Sequence, residues 1–347
     1  MRRAPGRVAE NWVPWFYEKR FLKPRALRRT YLEVIRRMSA AAPLGDAVTP
    51  PAGREYRELE VGSVVIGRPG DLPGADLVVD GADVRAVGMY GERKLGVLFH
   101  DALAMVSFER LTIATESYER LPPIEGNDLP GVIGLGAAER YGAAGALRAG
   151  VRVAAWLPDS AIPRLELLAR RYDLDVVWSG GGAPSKITGR HRVEGITADG
   201  REIRCSLFIV GVGQPALEVA AQAGADIRLT DDGLPILALA GAPEWLTVVG
   251  DAAAALSGVP DVPAADSAFA CLCEDVRVGD LRKCVQSGFR DVELVKRRTG
   301  AMTGPCQGKL CAAMTLAVLR EEGVEPAPMT PRPLVAPITL SKLAADA

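Results

Sequence analysis

Histidine is nearly absent from this sequence: its 347 residues include only two histidines, His100 and His191. They are far apart along the chain, and each lies in a segment with strand-like patterning. No metal-binding histidine spacing, Ser-His-Asp arrangement or pair of acid–base carboxylates can be assembled from the sequence. We therefore expect both histidines to be structural, and we assign no catalytic residue to this chain.

Long apolar runs and an excess of charge are also lacking. No apolar run approaches the roughly 20 residues that span a bilayer, and Arg2-Arg3 are not followed by the apolar region of an export signal. The net charge of −1 argues against nucleic acid as a general partner. These features predict a cytoplasmic protein without a membrane span, in a reducing compartment where cysteines stay free for metal.

Cysteine, by contrast, occurs in an ordered pattern. Four of the six cysteines form two close pairs, Cys271 with Cys273 and Cys306 with Cys311, separated by thirty-two residues. A [2Fe–2S] cluster suits such pairs, because each iron takes two protein sulfurs while two sulfides bridge the irons. The intervening chain has helical spacing. A further helix is predicted over 307–322, which would place Cys311 in its first turns, where unpaired N–H groups favour an anionic cluster.

Other interpretations of these cysteines stay open. Zinc sites usually take C-x2–4-C pairs, and the C-x-C bite of Cys271 and Cys273 is tight for a tetrahedral ion, although it is known. Disulfides do not fit a chain without a secretory signal, and four unrelated core cysteines are a further alternative. The remaining two are interpreted as small buried apolar residues, Cys205 on a predicted strand and Cys284 within a predicted helix.

Three stretches around the cysteine pairs, 270–276, 288–293 and 299–311, resemble a known module. They are similar to the bacterioferritin-associated-ferredoxin-like [2Fe–2S] domain. More narrowly, they resemble the version on the alpha subunit of heteromeric flavin-dependent amine dehydrogenases: sarcosine oxidase, dye-linked L-proline dehydrogenase, hydrogen cyanide synthase and opine oxidase. The segment 332–344 is similar to that family's proline-rich tail. The resemblance implies that the cluster ligands are Cys271, Cys273, Cys306 and Cys311.

Backbone amides next to these cysteines are expected to tune the potential of the cluster. The amides that we expect to act in this way are those of Gly304, Gln307 and Gly308.

Upstream of this module, strands and helices alternate. Short strands are predicted at 63–66, 77–79, 84–90, 95–100 and 104–108, with a hairpin turn at Gly91-Glu92. A strand–helix–strand unit over 151–156, 163–172 and 175–178 implies a parallel, right-handed crossover. An antiparallel meander follows over 187–197 and 202–210, with its turn at Asp199-Gly200.

Two segments resemble flavin-binding stretches of the same family. Residues 110–132 resemble its A-T-G-x-x-E-R … N-D-L-P-G-V stretch, but Glu116 stands where the family has the glycine. A carboxylate there would repel a cofactor pyrophosphate. Residues 244–251 resemble the second FAD motif, which implies that Gly250 ends a strand and Asp251 binds the ribityl chain. The alternative role of Asp251 is a cap for the alanines that follow.

The glycine fingerprint of an FAD-binding domain, a strand followed by G-x-G-x-x-G, is missing before residue 100. Gly134-Leu-Gly136 is not preceded by a convincing strand. Gly211-Val-Gly213 follows a strand but resembles a bend of two-dinucleotide-domain flavoproteins. We do not expect either pattern to hold phosphate.

The first forty residues differ in charge from the rest, because eleven arginines and lysines stand there against three glutamates. Aromatic residues are grouped in the same segment: Trp12, Trp15, Phe16 and Tyr17. Such a segment is typical of an arm that packs on another subunit or domain. Contact with a nucleic acid or a membrane surface is the alternative, so peripheral membrane contact stays open.

Together these features predict an α/β fold: an incomplete two-dinucleotide-binding-domain flavoprotein fold, followed by a small helical [2Fe–2S] domain. The expected boundaries are a basic arm and linker (1–60), a degenerate FAD/NAD(P)-binding-like domain (61–262), the cluster domain (263–325) and a proline-rich tail (326–347).

The resemblance implies an electron-transfer and scaffold subunit of a flavin-dependent amine or amino-acid dehydrogenase, acting on proline, hydroxyproline, sarcosine or opines. A partner flavoprotein subunit would then carry the substrate site, and FAD or FMN could be shared between the two chains. The alternatives are a non-catalytic scaffold that binds zinc or transfers iron, and an FAD-containing oxidoreductase in its own right.

Overall fold

The computed structural model describes residues 57–67, 74–81, 83–99, 103–120, 122–231, 236–253, 264–330, 332–335 and 338. The expected basic arm and linker lie almost wholly outside the described residues, as do His100 and most of the tail. All of the described residues belong to one unit of the chain, Tyr56–Ala347.

The strands and helices of the described residues are numbered here in chain order. The strands are β1 (Arg57–Gly67), β2 (Leu77–Val79), β3 (Arg85–Met89), β4 (Lys94–Leu98), β5 (Leu103–Ala114), β6 (Ser117–Glu119), β7 (Val132–Gly134), β8 (Arg152–Trp156), β9 (Asp175–Gly180), β10 (Lys186–Thr188), β11 (Gly195–Ala198), β12 (Arg201–Arg204), β13 (Leu207–Val210), β14 (Gly213–Pro215), β15 (Asp226–Leu229), β16 (Leu237–Gly241), β17 (Leu246–Val248), β18 (Phe269–Cys271) and β19 (Val276–Arg277). The α-helices are α1 (Leu135–Ala143), α2 (Ile162–Tyr172), α3 (Glu218–Gln222), α4 (Val278–Gln286), α5 (Val292–Thr299) and α6 (Ala312–Glu321).

The first sheet has the strand order β2-β1-β5-β4-β3, with β17 also paired to β5. Strand β5 joins the two halves of this sheet. The first half of β5 pairs antiparallel with β4, and the second half pairs parallel with β17. Its buried positions alternate and change phase at the exposed Glu109-Arg110, so each half buries its own face. The predicted hairpin between β3 and β4 is confirmed.

The second sheet, β7-β13-β8-β9, is parallel throughout. Strand β13 is buried along its whole length, as expected for a sheet covered on both faces. Val153 and Ala155 of β8 pack with helices α1 and α2, whereas Ala154 and Trp156 pack with the meander β10–β12. The predicted crossover from β8 through α2 to β9 and the hairpin turn at Asp199-Gly200 are confirmed.

Several local expectations differ from the structure. The predicted strand 202–210 is divided into β12 and β13, and β13 belongs to the parallel sheet, so the buried Cys205 lies between two strands. Gly134-Leu-Gly136 does follow a strand, β7, which is paired to the centre of the sheet. Three residues are too few to show a strand period in the sequence. His191 is exposed in a bend between β10 and β11 rather than in a strand. The chain reverses there, and Glu194 donates its N–H back to Thr188.

The C-terminal region packs three helices, α4 to α6, around a core that includes Leu281, Val295 and Leu316. Gly288, Gly300 and Gly323 follow the helices with positive φ, so the predicted helix ends are confirmed. Asp291 caps α5 by accepting from the N–H groups of Glu293 and Leu294. No helix within the described residues is long and apolar enough to cross a membrane.

Candidate metal centre

A short hairpin carries the first cysteine pair. Cys271 ends β18 and is buried, and Cys273 is exposed in the turn that leads to β19. Strands β18 and β19 pair antiparallel, with Cys271 opposite Val276, and Asp275 in the turn has a positive φ of 54°. The backbone therefore folds back sharply enough to bring the two thiols to one end of the hairpin.

The second pair belongs to residues 301–311, the cysteine loop, which precedes α6. Helix α6 begins at Ala312, later than the predicted 307–322, because Met302, Gln307 and Gly308 have positive φ and form a loop. Cys306 is half-buried within this loop, and Cys311 is buried immediately before the helix. Thr315 donates both its N–H and its hydroxyl to the Cys311 carbonyl, which fixes Cys311 on the first turn.

The structure brings the four predicted cysteines together, as a row of contacts that crosses between the two segments. The Cys311 side chain acts on the pKa values of Cys271 and Cys306, and Cys306 acts on that of Cys273, so the four side chains are neighbours. We call Cys271, Cys273, Cys306 and Cys311 the cysteine group. All four are free thiols. Among the residues that the structure describes, no group of three or more histidine, cysteine, aspartate or glutamate side chains is arranged to hold a metal ion.

Hydrogen bonds divide the cysteine group into two acidic and two weakly acidic thiols. The Cys311 thiol, helped by N–H groups of Glu274, Met302 and Cys273, lowers the pKa of Cys271 to about 6. The Cys311 thiol also lowers the pKa of Cys306 to about 5, with the N–H groups of Leu310 and Gly308 adding to the effect. The lowered pKa values of Cys271 and Cys306 favour the thiolate, which is the form of cysteine that binds metal.

The two remaining thiols of the group have raised pKa values. The neighbouring Cys271 and Cys306 side chains, together with burial, raise the pKa of Cys311. Desolvation is the main reason that the pKa of Cys273 is raised. A metal centre would have to displace these two protons when it binds.

Backbone atoms pack against the cysteine group at two glycines. A Cβ at Gly304 would overlap the Cβ of Cys273 and lie 3.4 Å from its sulfur, so only a glycine lets the loop approach this closely. Gly308 supplies an N–H to Cys306, as expected. The N–H of Gln307 is instead donated to the Gly304 carbonyl at 2.8 Å. Met302, Glu274 and Leu310 are donors that the sequence did not indicate.

Lys309 connects the cysteine loop to the α/β region. Its Nζ contacts the Val335 carbonyl and lies 5.3 Å from the centre of the Tyr118 ring. The Tyr118 hydroxyl donates to Glu218 Oε2 at 3.3 Å. Burial raises the pKa of the Glu218 carboxyl, and burial together with Glu218 raises the pKa of Tyr118. These contacts depend on the tertiary fold, so the sequence did not predict them. The one feature of the sequence that pointed to Lys309 was its position between Cys306 and Cys311.

The two predicted flavin contacts lie elsewhere in the fold. Gly250 follows β17 with φ of 65°, and Asp251 comes next in a short 3-10 turn, Gly250–Ala252. Both residues are exposed, and this turn has no side-chain cap. Since β17 and β5 are parallel, the pair lies at the carboxyl end of the strands, where α/β folds bind ligands.

Residues 265–347 match the sarcosine oxidase A3 domain. This A3 match contains the whole cysteine group, helices α4 to α6 and the C-terminal tail. A comparison with curated proteins gives no match.

One solved structure shares the fold of a larger part of the chain, and two others are similar to parts of it. An L-proline dehydrogenase from P. horikoshii superposes with a TM-score of 0.66 at 16% identity, covering 84% of this chain and 81% of that one. A FAD-dependent pyridine nucleotide-disulphide oxidoreductase from Desulfovibrio vulgaris gives a TM-score of 0.35 at 18% identity, covering 55% of this chain and 63% of that one. The thioredoxin reductase of T. acidophilum gives a TM-score of 0.34 at 11% identity, covering 52% of this chain and 69% of that one.

The predicted α/β fold class is confirmed: the described residues form a mixed α/β structure that shares the fold of the L-proline dehydrogenase. The A3 match and the shared fold of the proline dehydrogenase also support the resemblance to the sarcosine oxidase and proline dehydrogenase group of flavoproteins.

Proposed function

We propose that this chain is an electron-transfer and scaffold subunit of a flavin-dependent amine or amino-acid dehydrogenase complex. Its substrate class would be proline, hydroxyproline, sarcosine or opines, and the substrate site would lie on a partner flavoprotein subunit. The observation that carries this proposal is the cysteine group: four thiols from two distant segments meet beside converging backbone N–H groups.

The number and pairing of the thiols support a [2Fe–2S] cluster, because two thiols on each of two segments supply the four sulfurs that two irons require. The close approach at Gly304 and the N–H groups around Cys271 and Cys306 match a centre that carries negative charge. Such a cluster, when bound, accepts and donates one electron at a time.

The residues of this chain would hold and shield that centre. Cys271 and Cys311 are buried, so the surrounding core excludes water from two of the four sulfurs. Cys273 faces solvent and marks the side from which a redox partner can approach. The amides of Met302, Glu274 and Gly308 stabilise the sulfur charge and so affect the reduction potential.

A flavin shared with the partner subunit completes the proposal. Gly250 and Asp251 are exposed at the carboxyl end of β17, where a group bound mainly by another chain can reach them. Asp251 would accept a hydrogen bond from a hydroxyl of that flavin. Glu116 is also exposed, and its negative charge disfavours a pyrophosphate beside it.

The test is anaerobic purification of the chain, followed by iron, sulfide, zinc and flavin analysis and electron paramagnetic resonance of the reduced sample. We expect about two irons and two sulfides per chain. Zinc without iron would contradict the electron-transfer role and favour a zinc-binding scaffold. Stoichiometric FAD on the isolated chain would favour an oxidoreductase in its own right. Co-purification from the native host then tests for the partner flavoprotein.

A further inference from the structure

A buried amide from the α/β region binds the strand that carries Cys271. Asn127 is 2% exposed. Its Oδ1 accepts the N–H of Phe269 at 2.9 Å, and its Nδ2 donates to the Phe269 carbonyl at 2.9 Å. The other N–H of the amide is donated to the Pro122 carbonyl at 2.8 Å. Two carbonyls and one N–H therefore surround this side chain, and only an asparagine amide in this orientation matches all three.

The segment that carries Asn127 is itself packed on the meander β10–β12. Ile124 is buried in the same core as residues of that meander. The N–H of Ile187 in β10 is donated to the Glu125 carbonyl at 2.9 Å. A Cβ at Gly126, which has a φ of 86°, would overlap the Ile187 carbonyl, so only a glycine allows this close approach. Asn127 is thus presented to β18 from a well-packed part of the α/β region.

Strand β18 depends on outside support because its own sheet is small. Within the described part of the chain, β18 pairs with β19 alone, and a ribbon of three and two residues is weak by itself. The register also shifts between Phe269 and Cys271, which interrupts the pairing just before the thiol. Both backbone polar groups of Phe269 are held by Asn127, two residues before Cys271. The amide therefore fixes the backbone from which the Cys271 side chain extends.

A second buried amide makes the same pattern of bonds at another strand. Gln214 is 5% exposed, and its Oε1 accepts the N–H of Leu237 at 3.0 Å. Its Nε2 donates to the Leu237 carbonyl at 2.8 Å and to the Pro215 carbonyl at 3.3 Å. Leu237 belongs to β16, which carries no cysteine. Removing either amide breaks the same kinds of bond, so Gln214 is a matched control for Asn127.

We propose that Asn127 is a positioning residue for Cys271: its amide holds β18 against the α/β region and fixes the place of one of the four thiols. The inference rests on the proposed function in so far as Cys271 is a cluster ligand. An alanine at position 127 would leave the N–H and the carbonyl of Phe269 without their partners. An aspartate would keep the acceptor, but its second oxygen would face two carbonyls.

The first test measures access to the Cys271 thiol in the metal-free, full-length chain. Labelling with iodoacetamide under native conditions, with each cysteine assigned by mass spectrometry, compares the unchanged chain with Asn127→Ala and Gln214→Ala. The buried Cys271 should be labelled at least about tenfold faster in Asn127→Ala, because β18 opens locally once Phe269 loses its partners. The buried Cys284 of α4 should keep its rate and is the internal control.

Three results of the labelling would overturn the inference. One is an unchanged rate at Cys271 in Asn127→Ala. Another is an equal acceleration at Cys271 and Cys284, which would mean that the whole region loosens. The third is the same acceleration at Cys271 in Gln214→Ala. Asn127→Asp, which preserves the size of the side chain, should also label faster at Cys271 and serves as the second variant if Asn127→Ala does not fold.

The second test concerns the metal centre itself. Each chain is reconstituted with iron and sulfide, reduced, and compared by electron paramagnetic resonance. We expect both Asn127 variants to give a shifted spectrum, because one sulfur is displaced, and Gln214→Ala to give the spectrum of the unchanged chain. Iron uptake with an unaltered spectrum in both Asn127 variants would overturn the inference. If the unchanged chain takes up no iron, the proposed function fails, and the labelling alone decides whether Asn127 positions Cys271.

Discussion

The cysteine group and the turn between β7 and α1 (residues 134–138, called here the glycine turn) both direct backbone N–H groups at negative charge. They differ in what carries that charge. Around Cys271 and Cys306 the N–H groups of residues such as Met302 and Gly308 act on sulfur. At the glycine turn, Gly136 binds a carboxylate of the same chain. A thiolate keeps its capacity to bind a metal, whereas the carboxylate fills the space itself. The two places thus differ in whether the backbone N–H groups act on sulfur or on a carboxylate of the same chain.

The largest expected effect separates the cysteine group from the other cysteines. Replacing Cys306 by serine should lower the iron content of the anaerobically purified chain by at least about tenfold, because a cluster iron would lose one of its thiolates. Cys284→Ser is the matched control, since Cys284 is also a buried free thiol in the same region. Equal iron in the two variants would remove the cysteine group from consideration as the ligand set.

At the glycine turn, we expect Gly134→Ala to lower the free energy of unfolding by about 2–3 kcal/mol, because the added methyl group overlaps the Glu119 carboxylate. Urea denaturation measures the effect. Gly182→Ala is the control: a Cβ there meets nothing within 4 Å, so the change should stay within about 0.5 kcal/mol. Adding Glu119→Gly to Gly134→Ala should recover part of the loss. Full additivity of the two changes would show that the residues do not interact.

The corresponding change in the cysteine loop is Gly304→Ala. The methyl group would push the loop away from Cys273, and we expect a loss of about 1–2 kcal/mol in the free energy of unfolding of the metal-free chain. The electron paramagnetic resonance spectrum of the reduced, iron-loaded chain should also shift, since the position of one sulfur changes. Gly182→Ala should leave both the spectrum and the stability unchanged. An unaltered spectrum for Gly304→Ala would mean that the loop does not approach the metal.

The smallest expected effect concerns Glu218, a buried carboxyl that lies between the two regions. Burial raises the pKa of Glu218 in the folded chain, so the unfolded chain loses this proton first as pH rises. Stability should therefore fall as pH increases from the ordinary glutamate pKa to the raised folded value, and this loss should be missing in Glu218→Gln. Denaturation at pH 4 and pH 8 measures it. Glu116→Gln, at an exposed site, should follow the unchanged chain at both values.

Much of the C-terminal region was predictable because its signals are local. Asp291 before α5 and the glycines at 288, 300 and 323 mark helix ends wherever they occur. The start of α6 was not predictable, because Gln307 and Gly308 adopt left-handed conformations that the local sequence does not indicate. Cysteine spacing predicted two close pairs, but the contacts of Cys311 with Cys271 across the segments are a tertiary property.

The glycine turn shows the opposite case. Strand β7 has only three residues, so no period identified it, and Gly134-Leu-Gly136 was therefore not recognised as a strand-to-helix turn. The role of Glu119 depends on its register opposite Gly213, which is far away in sequence. Fold class follows from the pattern of strands and helices, whereas the occupant of this turn follows from one contact between distant strands.

Among the four cysteines, Cys273 alone is exposed, and the exposed Leu272 precedes it in the hairpin turn. A protein that docks over this turn would cover the sulfur and replace nearby water with a medium of lower polarity. Because solvent exposure is one of the factors that set the potential of an iron–sulfur centre, docking would itself alter the driving force for electron exit. Assembly and redox balance would then be linked through a single side chain.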